Sequence, residues 1–308
     1  MRQFAGLVEI APRIASALAR GGAVVALETT IVTHGMPFPQ NVETALEVEA
    51  LVRAAGAEPA TIAIVDGRIR VGLEPDAIRA LAGMRGVRKV SRADLPFTVA
   101  TGARGATTVA ATMICAALAG IGVFATGGIG GVHRGAETTM DVSADLDELA
   151  RTPVAVVCAG AKALLDLPKT LEVLETLGIP VICYRCDAFP AFWSRNSGLR
   201  APLRLDSAAE IACAIRAQRA LGYPSGTLIA NPVDADDEIP GSEIGAHIEA
   251  AVAAAKAMGI SGKDVTPFLL DRLLELTGGR SLISNIALIK NNARLAAAVA
   301  VELAAPLS

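Results

Sequence analysis

Aromatic residues are scarce, at 3% of the chain, with one Trp, two Tyr and seven Phe. That excludes a core of stacked rings and leaves Ala, Val, Ile and Leu to fill the interior, within a hydrophobic share of 52%. Small and branched side chains of this kind suit parallel strands buried on both faces beneath helices. Charge of one sign is also never concentrated. The net charge is −3 with the signs interspersed, so the chain lacks the basic footprint of a nucleic-acid binder and the polybasic patch of a membrane-surface protein. A small molecule is the expected partner.

Five cysteines, at 115, 158, 183, 186 and 213, make no even framework, and three sit in apolar runs. They read as reduced core residues of a cytoplasmic protein. Cys183-Tyr-Arg-Cys186 has C-x-x-C spacing, but no second pair or nearby histidine completes a zinc site, and it closes a strand instead of opening a helix. A secretion signal is not expected, because Arg2, Glu9, Arg13 and Arg20 break the first twenty residues. Between Arg104 and His133 run 28 residues without formal charge, enough for a membrane span. Gly120, Gly122 and several threonines divide that run into an Ala-rich helix near 108–119 and a strand at 123–126, both read as buried core.

Lysine is outnumbered by arginine, six to 22. Lys162 follows Val154-Ala-Val-Val-Cys-Ala-Gly-Ala161, a buried parallel strand and its exit turn, so its amine falls at the carboxyl end of a sheet, where open α/β folds bind ligands. An arginine there could pair with an anion; only a lysine can become neutral and attack carbon. A strand-end lysine can equally snorkel into solvent. Upstream, Gly127, Gly128, Gly130 and Gly131 leave the backbone bare enough to approach an anion, and Asp141 and Asp145 offer carboxylates for a hard cation beside a phosphate. Asp145, Asp147 and Glu148 also fit the acidic first turn of a helix ending near Arg151. Glu28, closing Val24-Val-Ala-Leu27, is either a proton carrier or a solvent-facing charge. Lys89, near Arg92, suits a phosphate or a solvated strand, and His34 and His133 suit ordinary turn positions.

Apolar β-branched runs near 23–30, 61–65, 68–73, 97–100, 123–126, 154–159, 180–185 and 226–230 alternate with helical patterns near 41–55, 76–83, 108–119, 164–177 and 207–221. The alternation predicts a three-layer α/β/α fold with a mostly parallel central sheet, in one catalytic domain over 1–308. Asp66-Gly67 between two apolar runs predicts a small antiparallel hairpin element. From about Gly241 the chain reads as a helical C-terminal region, with Thr266-Pro267 as a helix start, Gly278-Gly279 as a stop and Ser281 capping a last helix to about Glu302.

Ordered motifs from about Val24 to Val299 carry a resemblance to the pseudouridine-5'-phosphate glycosidase family. They include ALETTIVTHGMPFPQN (26–41), PATIAIVDGRIRVGL (59–73), KVSRADLP (89–96), GATTVAATM (105–113), FATGGIGGVHRGAETTMDVSADLDELA (124–150), VAVVCAGAK (154–162), FPAF (189–192) and TPFLLDRLLELTGGRSL (266–282). The resemblance implies a glycosidase that reversibly splits the C–C glycosidic bond of pseudouridine 5'-phosphate into uracil and ribose 5-phosphate, with a divalent metal such as Mn²⁺, as a homotrimer. By the same resemblance Glu28 is the acid/base, Lys162 the nucleophile and Asp141 the metal ligand. Lys89, Val109 and Ser143, Ala144 and Asp145 are implied as substrate contacts, with His133 and Asn285 lining the pocket.

The chemistry agrees. A C-nucleoside has carbon as its leaving atom, so protonating a heteroatom fails, and an electron sink such as a lysine imine is required. A Schiff-base aldolase or lyase acting on another sugar phosphate would want the same lysine, but would more often form a (β/α)8 barrel. A non-catalytic nucleotide-binding protein would use Lys162 and Glu28 only as hydrogen-bonding groups.

Overall fold

The computed structural model describes residues 6–260, 262 and 265–306; Arg2, one of the charges that break the first twenty residues, lies outside them. Eleven strands among the described residues join one sheet. They are β1 (Val8–Ile10), β2 (Val24–Leu27), β3 (Glu58–Val65), β4 (Arg68–Val71), β5 (Arg88–Val90), β6 (Gly105–Thr107), β7 (Val123–Ala125), β8 (Ala155–Cys158), β9 (Val181–Tyr184), β10 (Leu203–Leu205) and β11 (Thr227–Ala230). The main path runs β1-β4-β3-β2-β7-β8-β11-β9-β10, and every pairing from β3 to β10 along it is parallel. β2, β7, β8 and β11 are buried along their whole length, which is why they read as continuous apolar runs instead of alternating ones.

Thirteen helices among the described residues surround the sheet. In chain order they are α1 (Pro12–Ala19), α2 (Thr30–Thr33), α3 (Gln40–Ala54), α4 (Pro75–Gly83), α5 (Asp94–Ala100), α6 (Val109–Leu118), α7 (Ala136–Thr139), α8 (Ala144–Leu149), α9 (Leu167–Thr176), α10 (Ala208–Ala220), α11 (Gly241–Ala257), α12 (Val265–Leu276) and α13 (Arg280–Ala304). α6 packs on β2, β3 and β7 and against α8, whereas α13 packs on β2, β7 and β8 and against α3 and α10. The result is the expected three-layer α/β/α architecture, and the open sheet, with β1 and β10 at its edges, excludes a closed barrel. The charge-free run of 105–132 lies in β6, α6, β7 and the turn beyond, and no helix among the described residues is long and apolar enough to cross a membrane.

Several boundaries depart from the sequence reading. The strand expected at 97–100 is the end of α5: Asp94 accepts from the Ser91 amide at 2.9 Å, its carbonyl accepts from the Thr98 hydroxyl at 2.8 Å, and four apolar residues alone do not decide between strand and helix. β1, β5, β6 and β10 have three residues each, too few to show a period. Helix α12 already begins at Val265, so Thr266 and Pro267 lie inside its first turn; Gly279, at φ +89°, precedes α13, and Ser281 is buried within that helix instead of capping it. The Asp66-Gly67 hairpin is present, with φ +50° and +73°, and joins β3 to β4 in antiparallel pairing.

Candidate active site

Three neighbouring parallel strands end in the residues that carry chemistry. β2 leads into Glu28, β7 into Thr126 and the glycine run, and β8 into the turn that ends at Lys162. After β2 the chain continues to β3 on one side, while β7 and β8 lie on the other. The C-terminal ends of β2 and β7 therefore flank a topological switch point, where open α/β sheets leave a crevice.

Glu28 is held through the turn that follows it. The Thr29 hydroxyl, fully buried, donates to Ile62 O at 2.8 Å and accepts from Thr107 N at 3.0 Å, which pins the start of α2 to β3 and β6. That anchoring directs the Glu28 carboxylate between two hydroxyls: Thr126 donates to Oε1 and Thr30 to Oε2. Lys162 is held through its backbone, since its amide donates to Ile129 O at 3.1 Å while the Ile129 amide donates to Gly160 O at 3.1 Å. The exits of β7 and β8 thus stay paired beyond the ends of the strands.

Within the glycine run, one amide is already committed to a carboxylate. The Gly130 amide donates to Asp145 Oδ2 at 2.8 Å, and the other carboxylate oxygen accepts from Ala110 N at 3.0 Å. Asp145 therefore bridges the glycine turn to the first turn of α6. A Cβ on Gly130 would lie 2.2 Å from Ser143 Oγ and 2.9 Å from Asp145 Oδ2, and one on Gly128 would lie 2.6 Å from the Phe192 ring. Glycine is needed at both places so that side chains can press against the backbone. Thr108, which caps α6, and Val109 border the crevice together with the side chains of Lys89 and Lys162.

A cavity of about 600 Å³ opens there, and a smaller one of about 60 Å³ adjoins it. Glu28, Lys89 and Lys162 border both. Val109, His133, Asp141 and the Ser143–Ala144–Asp145 segment border the larger, and Asn285, from α13, borders the smaller. All ten residues expected to form the site are thus brought together. His34, which the Thr33 hydroxyl meets at 2.6 Å, lies on the smaller chamber too. Sequence reasoning missed Thr30 and Thr126 on Glu28, and Phe192, which has φ +60° and walls the smaller chamber. The Glu28-Thr-Thr30 spacing was a usable signal for Thr30; Thr126 comes from 98 residues away.

His133 and Asp141 share a short loop in which the His133 amide donates to Asp141 O at 3.0 Å. Their side chains approach to 3.9 Å between Nδ1 and Oδ2. The His133 pKa is lowered: burial dominates, the Asp141 carboxylate opposes it, and the amines of Lys162 and Lys89 act with burial. The ring is therefore neutral near pH 7 and offers one donor and one acceptor to a ligand. Elsewhere, burial pushes the thiols of Cys115 and Cys158 up to about 12, leaving them neutral core groups.

Among the described residues no three His, Cys, Asp or Glu side chains group as a metal cage. The donor set fits a more modest role: Asp141, partly exposed at the cavity wall, can hold a hard divalent ion that keeps most of its water.

The family model described as "Indigoidine synthase A like protein" matches residues 13–302. A protein named pseudouridine-5'-phosphate glycosidase from Methylobacterium nodulans is 66% identical over 96% of this chain and 88% of its own length, and one of the same name from Jannaschia sp. is 65% identical over 94% and 96%. Among solved structures, the prealnumycin C-glycosynthase AlnA in complex with ribulose 5-phosphate superposes with a TM-score of 0.89 at 39% identity, covering 96% of this chain and 97% of that one. An indigoidine synthase A-like protein from Thermotoga maritima gives 0.89 at 36%, covering 97% of each. With full-length matches at this identity, the chain belongs to the pseudouridine-5'-phosphate glycosidase family, within the indigoidine synthase A like proteins.

Proposed function

We propose that this protein reversibly cleaves the C–C glycosidic bond of pseudouridine 5'-phosphate, giving uracil and ribose 5-phosphate through an imine on Lys162. The observation that carries the reading is that Glu28 and Lys162 border both chambers. A substrate with its sugar phosphate in the larger and its base in the smaller has its scissile bond at the junction, beside both groups. Lys89, the N-terminus of α6 and Ser143 suit the phosphate end. The Asn285 amide, with its donors and acceptor, suits the edge of a pyrimidine. Relatives named for the same activity support the substrate, and the ribulose 5-phosphate held by the C-glycosynthase supports a site for pentose phosphates.

In the cleavage direction, the neutral Lys162 Nζ bonds to C1′ as the C1′–O4′ bond breaks, and O4′ takes the proton that the amine sheds, so the sugar ring opens. Its lone pair then forms C1′=N⁺ as the bond from C1′ to uracil C5 breaks, and Glu28 delivers a proton to C5. Water adds to C1′ and releases ribose 5-phosphate from the amine. The two threonine hydroxyls hold the Glu28 carboxylate toward the junction. A divalent ion such as Mn²⁺ bound at Asp141 would supply charge neutralisation at the phosphate. A cytoplasmic homotrimer completes the proposal.

Incubation of the purified protein with pseudouridine 5'-phosphate and Mn²⁺ tests it by the release of free uracil. No uracil, under conditions where the protein is folded, contradicts the activity. Asp141→Asn should weaken Mn²⁺ activation and phosphate affinity together; unchanged Mn²⁺ activation moves the metal elsewhere.

A further inference from the structure

Beneath the active-site floor lies a pair of buried amides that the mechanism above does not use. Asn292, on α13, is fully buried, and Asn231, immediately after β11, is 4% exposed. Asn292 Nδ2 donates to Thr126 O at 2.8 Å and reaches Gly127 O at 3.4 Å, and its Oδ1 accepts from Asn231 Nδ2 at 3.1 Å. Asn231 is itself fixed, since its backbone amide donates to Cys158 O at 2.7 Å at the end of β8. One chain of hydrogen bonds therefore ties α13 and the carboxyl ends of β7, β8 and β11.

From this we infer that Asn292 is a positioning residue for proton transfer by Glu28, acting through Thr126. The inference rests on the activity proposed above. Beyond Ala125 the Gly127 carbonyl still accepts from the Ala159 amide at 2.9 Å, but the Thr126 carbonyl takes its hydrogen bond from Asn292; buried and unpaired, it would cost about 1–3 kcal/mol. The Asn292 amide donates there while also accepting from Asn231: leucine has no donor, and an aspartate would set its charge against the carbonyl oxygens. The Thr126 backbone in turn fixes the hydroxyl that donates to Glu28 Oε1, and Gly127 forms part of the smaller chamber. Asn285, two helical turns earlier on α13, borders that same chamber, so one helix reaches the ligand space and holds the floor below it. Release of the clamp moves the Thr126 hydroxyl, and with it the carboxylate, while leaving Lys162 on its own tether to Ile129.

The test compares two reactions of one variant. Formation of the imine from ribose 5-phosphate alone, trapped with borohydride, needs Lys162 but no proton on uracil; turnover of pseudouridine 5'-phosphate needs both. In Asn292→Leu, trapping should stay within about threefold of wild type while kcat falls about tenfold or more at little-changed KM, as small misplacements of catalytic groups cost. Thr126→Val should give the same split, and the double variant should be little worse than either single one. If Asn292→Leu does not fold, Asn231→Ser, which leaves the Asn292 amide in place but unoriented, is read by the same comparison. Equal losses of trapping and turnover, or turnover within about threefold of wild type, overturn the inference. A wild-type protein that neither traps ribose 5-phosphate nor releases uracil contradicts the activity itself, a separate result.

Discussion

At the scale of single residues, Glu28 is the proposed proton carrier because its carboxylate stands at the junction of the two chambers with a hydroxyl on each oxygen. Glu28→Gln keeps the shape and loses the proton. Turnover should fall about 10²–10⁴-fold, with KM changed little, the range that general acid–base catalysis usually contributes. Because Lys162 remains, a sugar adduct should still form on it, detectable as added mass. Steady-state kinetics check the first claim, and activity within a few-fold of wild type would shift the proton to His133, the neutral imidazole on the larger chamber. Residue types at strand ends were legible in the sequence: Glu28 and Lys162 each close an apolar run. Their partners were not, because Thr126 meets Glu28 only through strand pairing that no local period encodes.

Among the elements, the glycine turn after β7 is legible as a segment, whereas the partner of its Gly130 amide is not. Four glycines near a phosphate site suggest amides facing an anion, yet the Gly130 amide faces Asp145 and the missing Cβ makes room for Ser143. Gly130→Ala places a methyl 2.2 Å from Ser143 Oγ and 2.6 Å from Ser143 Cβ, so either the turn or the start of α8 must move. The expected cost is about 1–3 kcal/mol of stability, lowering Tm by roughly 2 °C or more, together with a loss of turnover. Thermal denaturation of wild type and variant checks it; an unchanged Tm with full activity would mean that the turn is free to shift. Long periodic elements such as α3, α6 and α10 were readable from their spacing. Three-residue strands and the helix at 94–100 were not, since their identity is set by what packs against them.

For the whole molecule, the parallel path from β3 to β10 and the switch point between β2 and β7 follow from one fact of chain order: β2 is extended on one side first and on the other much later. Alternating apolar runs revealed the βα pattern, but not which strands would be neighbours, and the site depends on that neighbourhood. The homotrimer proposed above predicts a light-scattering mass near three times the 31.5 kDa chain, and a monomer mass contradicts it. The proposed mechanism is covalent, with the Lys162 amine, just past the end of β8, as the electron sink for breaking a carbon–carbon bond. Borohydride added during turnover of pseudouridine 5'-phosphate, followed by peptide mapping, tests it most directly. A reduced ribose-phosphate adduct is expected on Lys162 and none in Lys162→Arg, which keeps the positive charge and should lose turnover. Uracil release without any adduct on Lys162, or near-normal turnover in Lys162→Arg, would contradict it.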